Sequence, residues 1–302
     1  MAERIPTRPG DRVFAKLASG SGIIMLVLLG GVAAFLLAEA LPAITASASD
    51  LPGGENLVKF IAPLAFGSLL GALIAILIAV PMAVAVALFV SFYAPRRVAQ
   101  TLSYVIDLLA AIPSVVYGLW GVAVLGPAAV GGLEWLEDKL GFLPFFEGPA
   151  STTGRTMLVV GVVLAVMILP IITAVTREVF SQTPRPLREA ALALGATRWE
   201  MIRMTVLPFG KSALISGSML GLGRALGETM AVTIILSVSG AVTFNLISSG
   251  NPSTIAANIA LDFPESSGLD VNALIASGLV LFAITLVVNM TARAIIGRRQ
   301  PA

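Results

Sequence analysis

The chain has 302 residues, of which 57% are hydrophobic and 12% are charged, and its mean hydropathy is +0.95. This composition is far more apolar than that of soluble globular domains and excludes a water-soluble enzyme of this length. The sequence contains no His and no Cys, so we expect no metal site, no cofactor, no disulfide and no catalytic residue of the imidazole or thiolate kind. A polytopic membrane protein is predicted.

Long apolar stretches recur along the whole sequence, and crossing a bilayer takes roughly 20 such residues in a helix. We predict an all-α fold in which one transmembrane domain, residues 1–302, crosses the membrane six times. Internal prolines in the second and third stretches favour kinked or tilted helices there. The predicted spans are about residues 20–41, 60–93, 102–130, 156–176, 211–240 and 272–296.

Positive charges alternate between the two sides of this arrangement. Fifteen of the 19 Lys and Arg fall on one side, three fall on the other, and Arg224 lies inside the fifth span. The positive-inside rule then places both termini in the cytoplasm. The excess of basic residues is thus a topological signal, and we expect no nucleic-acid partner. The first apolar run is longer than the core of a cleavable signal peptide, which favours an uncleaved helix.

Few polar residues occur near or within the first three spans. Glu39 and Asp107 lie close to span ends, and we interpret them as interfacial carboxylates. Pro113 and Ser114 lie within the third span, where a proline frees a backbone carbonyl. That carbonyl could serve a substrate path, with Ser114 as a candidate residue, or the proline could simply kink the helix, which we favour.

The first large outer loop covers about residues 131–155. Leu133, Leu136 and Leu140 recur there at helical spacing among acidic residues. This pattern predicts a short amphipathic helix at the membrane surface. Packing at the interface and docking of an external partner remain as alternative roles, and we favour packing.

The cytoplasmic loop at about residues 181–210 predicts two short helices joined at an elbow. Pro186 suits a first helical turn, an apolar stripe follows, and Gly195 suits a left-handed C-terminal cap. Thr197 and Glu200 have the spacing of a capping box, so a second helix is expected from Thr197 to about Leu207, where a proline interrupts it. Such an elbow could lie on lipid headgroups with its arginines extended, or bind a protein.

The fifth span carries both buried charges of interest. Gly217, Gly221, Arg224 and Glu228 fall within about 60° of one another on an α-helix. Glycines at this spacing predict a helix interface at Gly217 and Gly221.

Arg224 and Glu228 could simply form an ion pair. Such an i, i+4 pair stabilises a helix by only about 0.2–0.5 kcal/mol, which does not offset the burial of an arginine in hydrocarbon. We therefore favour a substrate path in which Arg224 attracts an anion. Glu228 would hold Arg224 in place and could accept a proton, and Thr229 would add a hydroxyl group.

The last outer loop, at about residues 241–271, contains no Lys or Arg. Its segment from Thr254 to Leu261 is apolar but too short to span a membrane. We predict a small outer helix or a re-entrant segment.

Two motifs resemble a known transporter family. Glu189-Ala190-Ala191, Gly195 and Leu207-Pro208 resemble the loop signature of binding-protein-dependent ABC importer permeases. The sequences at 221–232 (GLGRALGETMAV) and 111–118 (AIPSVVYG) are similar to the C-type permeases of phosphate-specific ABC importers. The resemblance extends from about residue 10 to the C-terminus.

This resemblance implies a type I importer fold in the cytoplasmic membrane of a prokaryote. The implied partners are a homologous permease of the A type, two ATPase subunits, an external phosphate-binding protein, inorganic phosphate and membrane lipid. The loop helix would dock into a groove on one of the ATPase subunits. The implied coupling residues are Glu189, Ala190, Ala191, Leu194 and Gly195.

The resemblance therefore predicts a permease that moves inorganic phosphate inward by alternating access. ATP would be hydrolysed by the partners, because Gly210-Lys211-Ser212 lacks the first glycine of a phosphate-binding loop. Another oxyanion, sulfate or molybdate, is the alternative substrate. An integral membrane enzyme and a passive channel are the alternative classes.

Overall fold

The computed structural model describes residues 9–51, 54, 56–236 and 242–297. All regular elements within these ranges are helices. Three of the helical stretches contain a five-residue π-helical turn, at Phe89–Tyr93, Gly121–Leu125 and Ile202–Val206. The α-helices are α1 (Pro9–Thr45), α2 (Leu57–Leu88), α3 (Arg96–Ala110), α4 (Ser114–Trp120), α5 (Gly126–Leu140), α6 (Met157–Ser181), α7 (Arg185–Ala193), α8 (Arg198–Met201), α9 (Leu207–Leu226), α10 (Met230–Ile235), α11 (Ile255–Asp262) and α12 (Leu269–Gly297).

Five helical stretches of the described chain are long and apolar enough to cross a membrane. They correspond to the predicted first, second, third, fourth and sixth spans, with one change of bounds. The third stretch begins at Ser114 and not near residue 102, since α3 is a separate helix that ends before Pro113. Proline disfavours helical backbone in the residue before it, so the predicted kink is a complete break. The five stretches are Val13–Thr45, Leu57–Tyr93, Ser114–Leu140, Met157–Ser181 and Leu269–Ala294.

The predicted fifth span, 211–240, is wrong as a continuous helix. Helix α9 ends at Leu226, and α10 begins only at Met230 and covers six residues. Its C-cap residue, Leu236, is already extended, and the last four predicted residues lie outside the described ranges. The predicted fifth span is therefore a broken helix, made of α9 and α10, and it is not among the five stretches above.

Pro208 does not interrupt the helix before it, contrary to the prediction. Helix α8 continues through the π-helical turn into α9, where Pro208 occupies the first turn. The amide of Leu207 donates to the carbonyl of Ile202, five residues earlier. This wider turn accommodates the proline, which has no amide hydrogen to donate. One rod of helix thus runs from Arg198 to Leu226.

Helix α6 lies at the centre of the molecule and packs against α2 and α9. The face of α2 toward the core is a stripe of alanines at helical spacing, including Ala75, Ala79 and Ala83, each with 0% exposure. Small side chains let helix backbones approach closely, which gives dispersion contacts in a membrane where hydrophobic exclusion is weak. Helix α1 packs outside this core against α12.

The first predicted outer helix is the C-terminal part of α5. Leu133 is buried, and Leu136 and Leu140 are partly buried, whereas Trp135 and Phe142 are exposed. Leu133 of the leucine stripe thus packs within the molecule, and the choice between interfacial packing and docking of a partner stays a prediction.

The chain before α11 descends into the helix bundle. The Ser68 hydroxyl, which is buried, accepts from the Ile255 amide at 2.9 Å. A Cβ at Gly67 would stand 2.3 Å from the carbonyl oxygen of Ser253, so only glycine fits there. The predicted short helix is confirmed as α11, which Thr254 caps through the amide of Ala257, and its position as an outer helix or a re-entrant segment stays a prediction.

Candidate functional site

Helix α7 ends at the elbow of the loop between α6 and α9, where Gly195 follows its last turn. Gly195 has a φ of +86°, and the Ala196 amide donates to the Ala191 carbonyl at 3.2 Å. This six-to-one bond is that of a Schellman cap, in which glycine avoids the strain that a side chain would meet at positive φ. The predicted left-handed cap is confirmed.

The next helix, α8, starts after Thr197, which forms the predicted capping box. The Thr197 hydroxyl accepts from the Glu200 amide at 3.3 Å, and the Glu200 carboxylate accepts from the Thr197 amide at 2.8 Å. The backbone hydrogen bond from Thr197, followed by the one from its hydroxyl, lowers the pKa of the Glu200 carboxyl. Reciprocal bonds of this kind satisfy two otherwise free donors and fix the start of α8.

The predicted coupling residues divide into two groups. Glu189 and Ala190 are exposed or partly exposed, and Leu194 is 90% exposed at the tip of the elbow. Ala191, in contrast, is buried against the side chains of α6 and α8. The elbow therefore presents Glu189, Ala190 and Leu194 outward, while Ala191 seats the elbow on its own chain.

Arg224 lies in the last turn of α9, immediately before the helix break, and is exposed. Among the described residues it forms no salt bridge and no hydrogen bond. The glycines of the same helix lie against α6, since a Cβ at Gly221 would stand 2.9 Å from Ile172 and one at Gly217 3.3 Å from Val175.

Glu228 does not hold Arg224, so that expectation is wrong. Glu228 lies in the break, where the i, i+4 relation of a continuous helix is lost. Its side chain is 7% exposed, and Oε1 accepts from the Ala231 amide at 3.1 Å. Glu228 thus caps the start of α10, where free amide hydrogens concentrate.

A second helix break lies beside the first. Helix α4 packs against α10, and a Cβ at Gly118 would stand only 2.9 Å from the Cα of Ala231. Across the break before α4, the Tyr117 hydroxyl donates to the Leu109 carbonyl at 2.8 Å. Ser114 begins α4 and is at least partly exposed, so this predicted residue lies at a break as well.

Thr229 occupies the N-cap position of α10 and is partly exposed. Its hydroxyl donates to the Gly227 carbonyl at 3.3 Å. The described residues contain no group of three or more His, Cys, Asp or Glu that could hold a metal ion. What the broken segment can offer a ligand is therefore the cationic Arg224 with hydroxyl groups nearby.

Arg155 was not among the predicted site residues, because the sequence distinguishes it only as a predicted outer positive charge. Its Nε donates to the Ile235 carbonyl at 3.1 Å, and its Nη2 donates to the Ile234 carbonyl at 3.0 Å. These carbonyls end α10, so Glu228 and Arg155 hold the two ends of the same short helix. No local pattern signals a contact across 80 residues.

Comparison with known proteins places these features in a wider group. The family model described as "Binding-protein-dependent transport system inner membrane component" matches residues 75–300. The chain is 44% identical to "Phosphate transport system permease protein PstC 2" of Mycobacterium tuberculosis, over 97% of this chain and 93% of the relative. It is 45% identical to "Phosphate transport system permease protein PstC" of Mycobacterium leprae, over 97% and 95% of the two chains.

A solved structure shares the fold. It is that of a bacterial ABC transporter involved in the import of the acidic polysaccharide alginate, with a TM-score of 0.59 and 17% identity over 96% of this chain and 100% of that chain. At this identity the likeness concerns the fold alone. The predicted all-α fold of importer permeases is confirmed by it.

Proposed function

The chain belongs to the family of binding-protein-dependent transport system inner membrane components, and on this premise we propose that it imports inorganic phosphate as one permease of an ATP-driven complex. The family consists of transport components and not of enzymes, and it operates in the bacterial inner membrane. The names of the mycobacterial relatives support phosphate as the substrate. The observation that carries the proposal is the exposed guanidinium of Arg224 at the helix break.

A cation at this place needs an anion or water beside it. An arginine within a membrane helix costs about 2.5–3.5 kcal/mol even on insertion scales, and such residues face a partner or a water-filled cavity. Glu228 is not that partner, since its carboxylate caps α10. The planar donor fork of Arg224 suits the oxygens of a tetrahedral anion.

The helix break supports the same role. Discontinuous membrane helices form the binding sites of many transporters, because the backbone groups freed at a break can face a polar cavity. Here the breaks before α4 and before α10 lie side by side, and Ser114, Thr229 and Arg224 lie at or beside them. This region is the proposed substrate path.

The rod from Arg198 to Leu226 gives the coupling a mechanical route. It joins the elbow to Arg224 in one helical stretch that is about 40 Å long at the rise of an α-helix. An ATPase that closes against Glu189, Ala190 and Leu194 would displace the elbow, and the rod would carry the motion to the break. Alternating access then follows from movement of α9 relative to a partner permease of the same fold.

The proposed assembly contains this permease, a homologous second permease, two ATPase subunits and an external phosphate-binding protein. The test is uptake of labelled phosphate into vesicles that contain this whole complex with ATP at the ATPase side. We expect ATP-dependent uptake that a large excess of sulfate does not reduce.

Vesicles without nucleotide and vesicles without the binding protein are the controls. Uptake that sulfate or molybdate suppresses would replace phosphate with another oxyanion. Uptake that continues without ATP would indicate a passive channel and contradict the proposal.

A further inference from the structure

We propose that Arg155 is a second anion-binding residue of the substrate path, at its outer end, where it receives inorganic phosphate before Arg224 does. This inference rests on the proposed function. Neither the sequence motifs nor the coupling loop involve Arg155, and its role follows from its position at the far end of α10.

The backbone of Arg155 is held firmly on both sides. Gly154 has a φ of +70°, and any Cβ there would stand 2.1 Å from the Gly126 carbonyl oxygen, so the turn lies directly against α5. Thr156 caps α6, because its hydroxyl accepts from the Val159 amide at 3.3 Å. The arginine thus projects from a fixed turn between two helices.

The side chain of Arg155 is oriented by α10. Its Nε and Nη2 each donate one hydrogen bond to the last two carbonyls of this helix. These carbonyls form the negative end of the helix dipole. A guanidinium has five N–H donors, so the Nη1 edge remains available for a second bidentate contact. The Nε bond is partly buried and the Nη2 bond is exposed, which places that free edge toward the accessible side.

The charge of Arg155 is not neutralised within the described part of the chain, where the one salt bridge joins Arg177 and Asp107. The residue itself is exposed. A fixed, accessible cation with a free donor edge is suited to a small oxyanion. It contrasts with Lys139, another exposed outer cation, whose ammonium is not hydrogen bonded to any helix end among the described residues.

The two arginines flank one accessible stretch of the broken segment. Helix α10 has six residues and is about 9 Å long. Gly227 is exposed, Met230 is 43% exposed, and Thr233 is partly exposed, so an accessible face extends from Arg224 towards Arg155. An anion that moves from one contact to the next along a transport path needs moderate sites in sequence, because one tight site would retain it. Two cations at the ends of α10 meet that requirement.

The experiment compares Arg155→Gln, Arg155→Lys and the control Lys139→Gln in the reconstituted complex. Labelled phosphate uptake is measured against the concentration of phosphate-loaded binding protein. We expect Arg155→Gln to lower the maximal rate about tenfold, the effect of losing one charge-assisted contact, with no change in the half-saturating concentration. Arg155→Lys keeps the charge but loses the planar donor fork, so its rate should lie between those of Arg155→Gln and the parent, and Lys139→Gln should match the parent.

Three results would overturn the inference while the parent still transports phosphate. Arg155→Gln could match the parent. Both Arg155 variants could lose phosphate uptake equally and lower the Tm of the purified complex. This result would indicate that Arg155 only stabilises the end of α10. Arg155→Gln could raise the half-saturating concentration of binding protein and leave the maximal rate unchanged. This result would indicate that Arg155 contacts the binding protein. A parent complex that transports no phosphate would instead refute the proposed function together with this inference.

Discussion

The elbow and the segment that is broken between α9 and α10 are each stabilised by hydrogen bonds at helix ends. The bonded residues are close in the sequence in the elbow and far apart in the broken segment. In the elbow, Thr197 binds Glu200 three residues away, and Ala196 binds Ala191. In the broken segment, the end of α10 is bound by Arg155, 80 residues away from Ile235. Both regions are helix ends with satisfied backbone groups, but the C-terminal end of α10 is held by a residue far away in the sequence.

This difference explains which parts of the structure the sequence predicts. The capping box and the glycine cap were predicted correctly, because each needs particular residue types at a short spacing. The short helix α11 likewise follows from a local apolar pattern. The break at 227–229 was not predicted, because glycines are tolerated in membrane helices and the charged residues of this segment were assigned to one face of a continuous span.

The candidate site was predicted in part for the same reason. An arginine in an apolar run is visible in any sequence, so Arg224 was identified. The role of Glu228 was predicted wrongly, since the i, i+4 geometry assumed a helix that is interrupted between the two residues. Arg155 could be recognised only once distant segments were seen in contact.

The largest expected effect lies in the elbow. We expect Gly195→Asp to abolish phosphate uptake while membrane insertion is retained, because a charged side chain at positive φ disturbs both the cap and the proposed ATPase contact. The matched control is Gly268→Asp. Gly268 also has a positive φ, +57°, with no atom within 4 Å of an added Cβ, but it lies far from the elbow in the sequence.

Equal loss of uptake in the two aspartate variants would show that backbone strain alone is harmful. Normal uptake by Gly195→Asp would remove the elbow from the coupling route. Insertion is checked by the amount of assembled complex that can be purified from the membrane.

The next effect concerns the cap of α10. Glu228→Gln keeps an oxygen that can accept from the Ala231 amide, and Glu228→Ala does not. We therefore expect Glu228→Gln to retain most phosphate uptake and Glu228→Ala to lose about tenfold, the effect of one lost cap. Uptake rates are compared at equal amounts of complex.

If Glu228→Gln is damaged as much as Glu228→Ala, the negative charge matters and the capping role is insufficient. Such a result would give Glu228 a role beside the substrate.

The smallest effect is expected at the start of α8. Thr197→Ala removes the hydroxyl that accepts from the Glu200 amide, so the amide hydrogens of α8 should exchange about fivefold faster with solvent. Thr101→Ala is the control, since the Thr101 hydroxyl only donates back to a carbonyl of its own helix. Unchanged exchange in Thr197→Ala would show that the elbow is held by packing alone.

Acid should weaken the same cap. The two hydrogen bonds from Thr197 lower the pKa of Glu200 in the folded elbow relative to the unfolded chain. The contribution of the carboxylate is therefore complete above the unfolded pKa and is lost as the pH falls through the folded value. After correction for the intrinsic pH dependence of amide exchange, the protection of the α8 amides should fall on acidification in the parent, and should fall less in Thr197→Ala.

The most direct test of the account is the phosphate uptake rate of Arg224→Gln in the complete reconstituted complex, with Arg97→Gln as an exposed arginine control outside the broken segment. The account predicts a loss of about 10- to 100-fold for Arg224→Gln, as expected for a charge-assisted contact to the anion, and a rate close to the parent for Arg97→Gln. Uptake by Arg224→Gln at the parent rate, with sulfate still rejected, would contradict it.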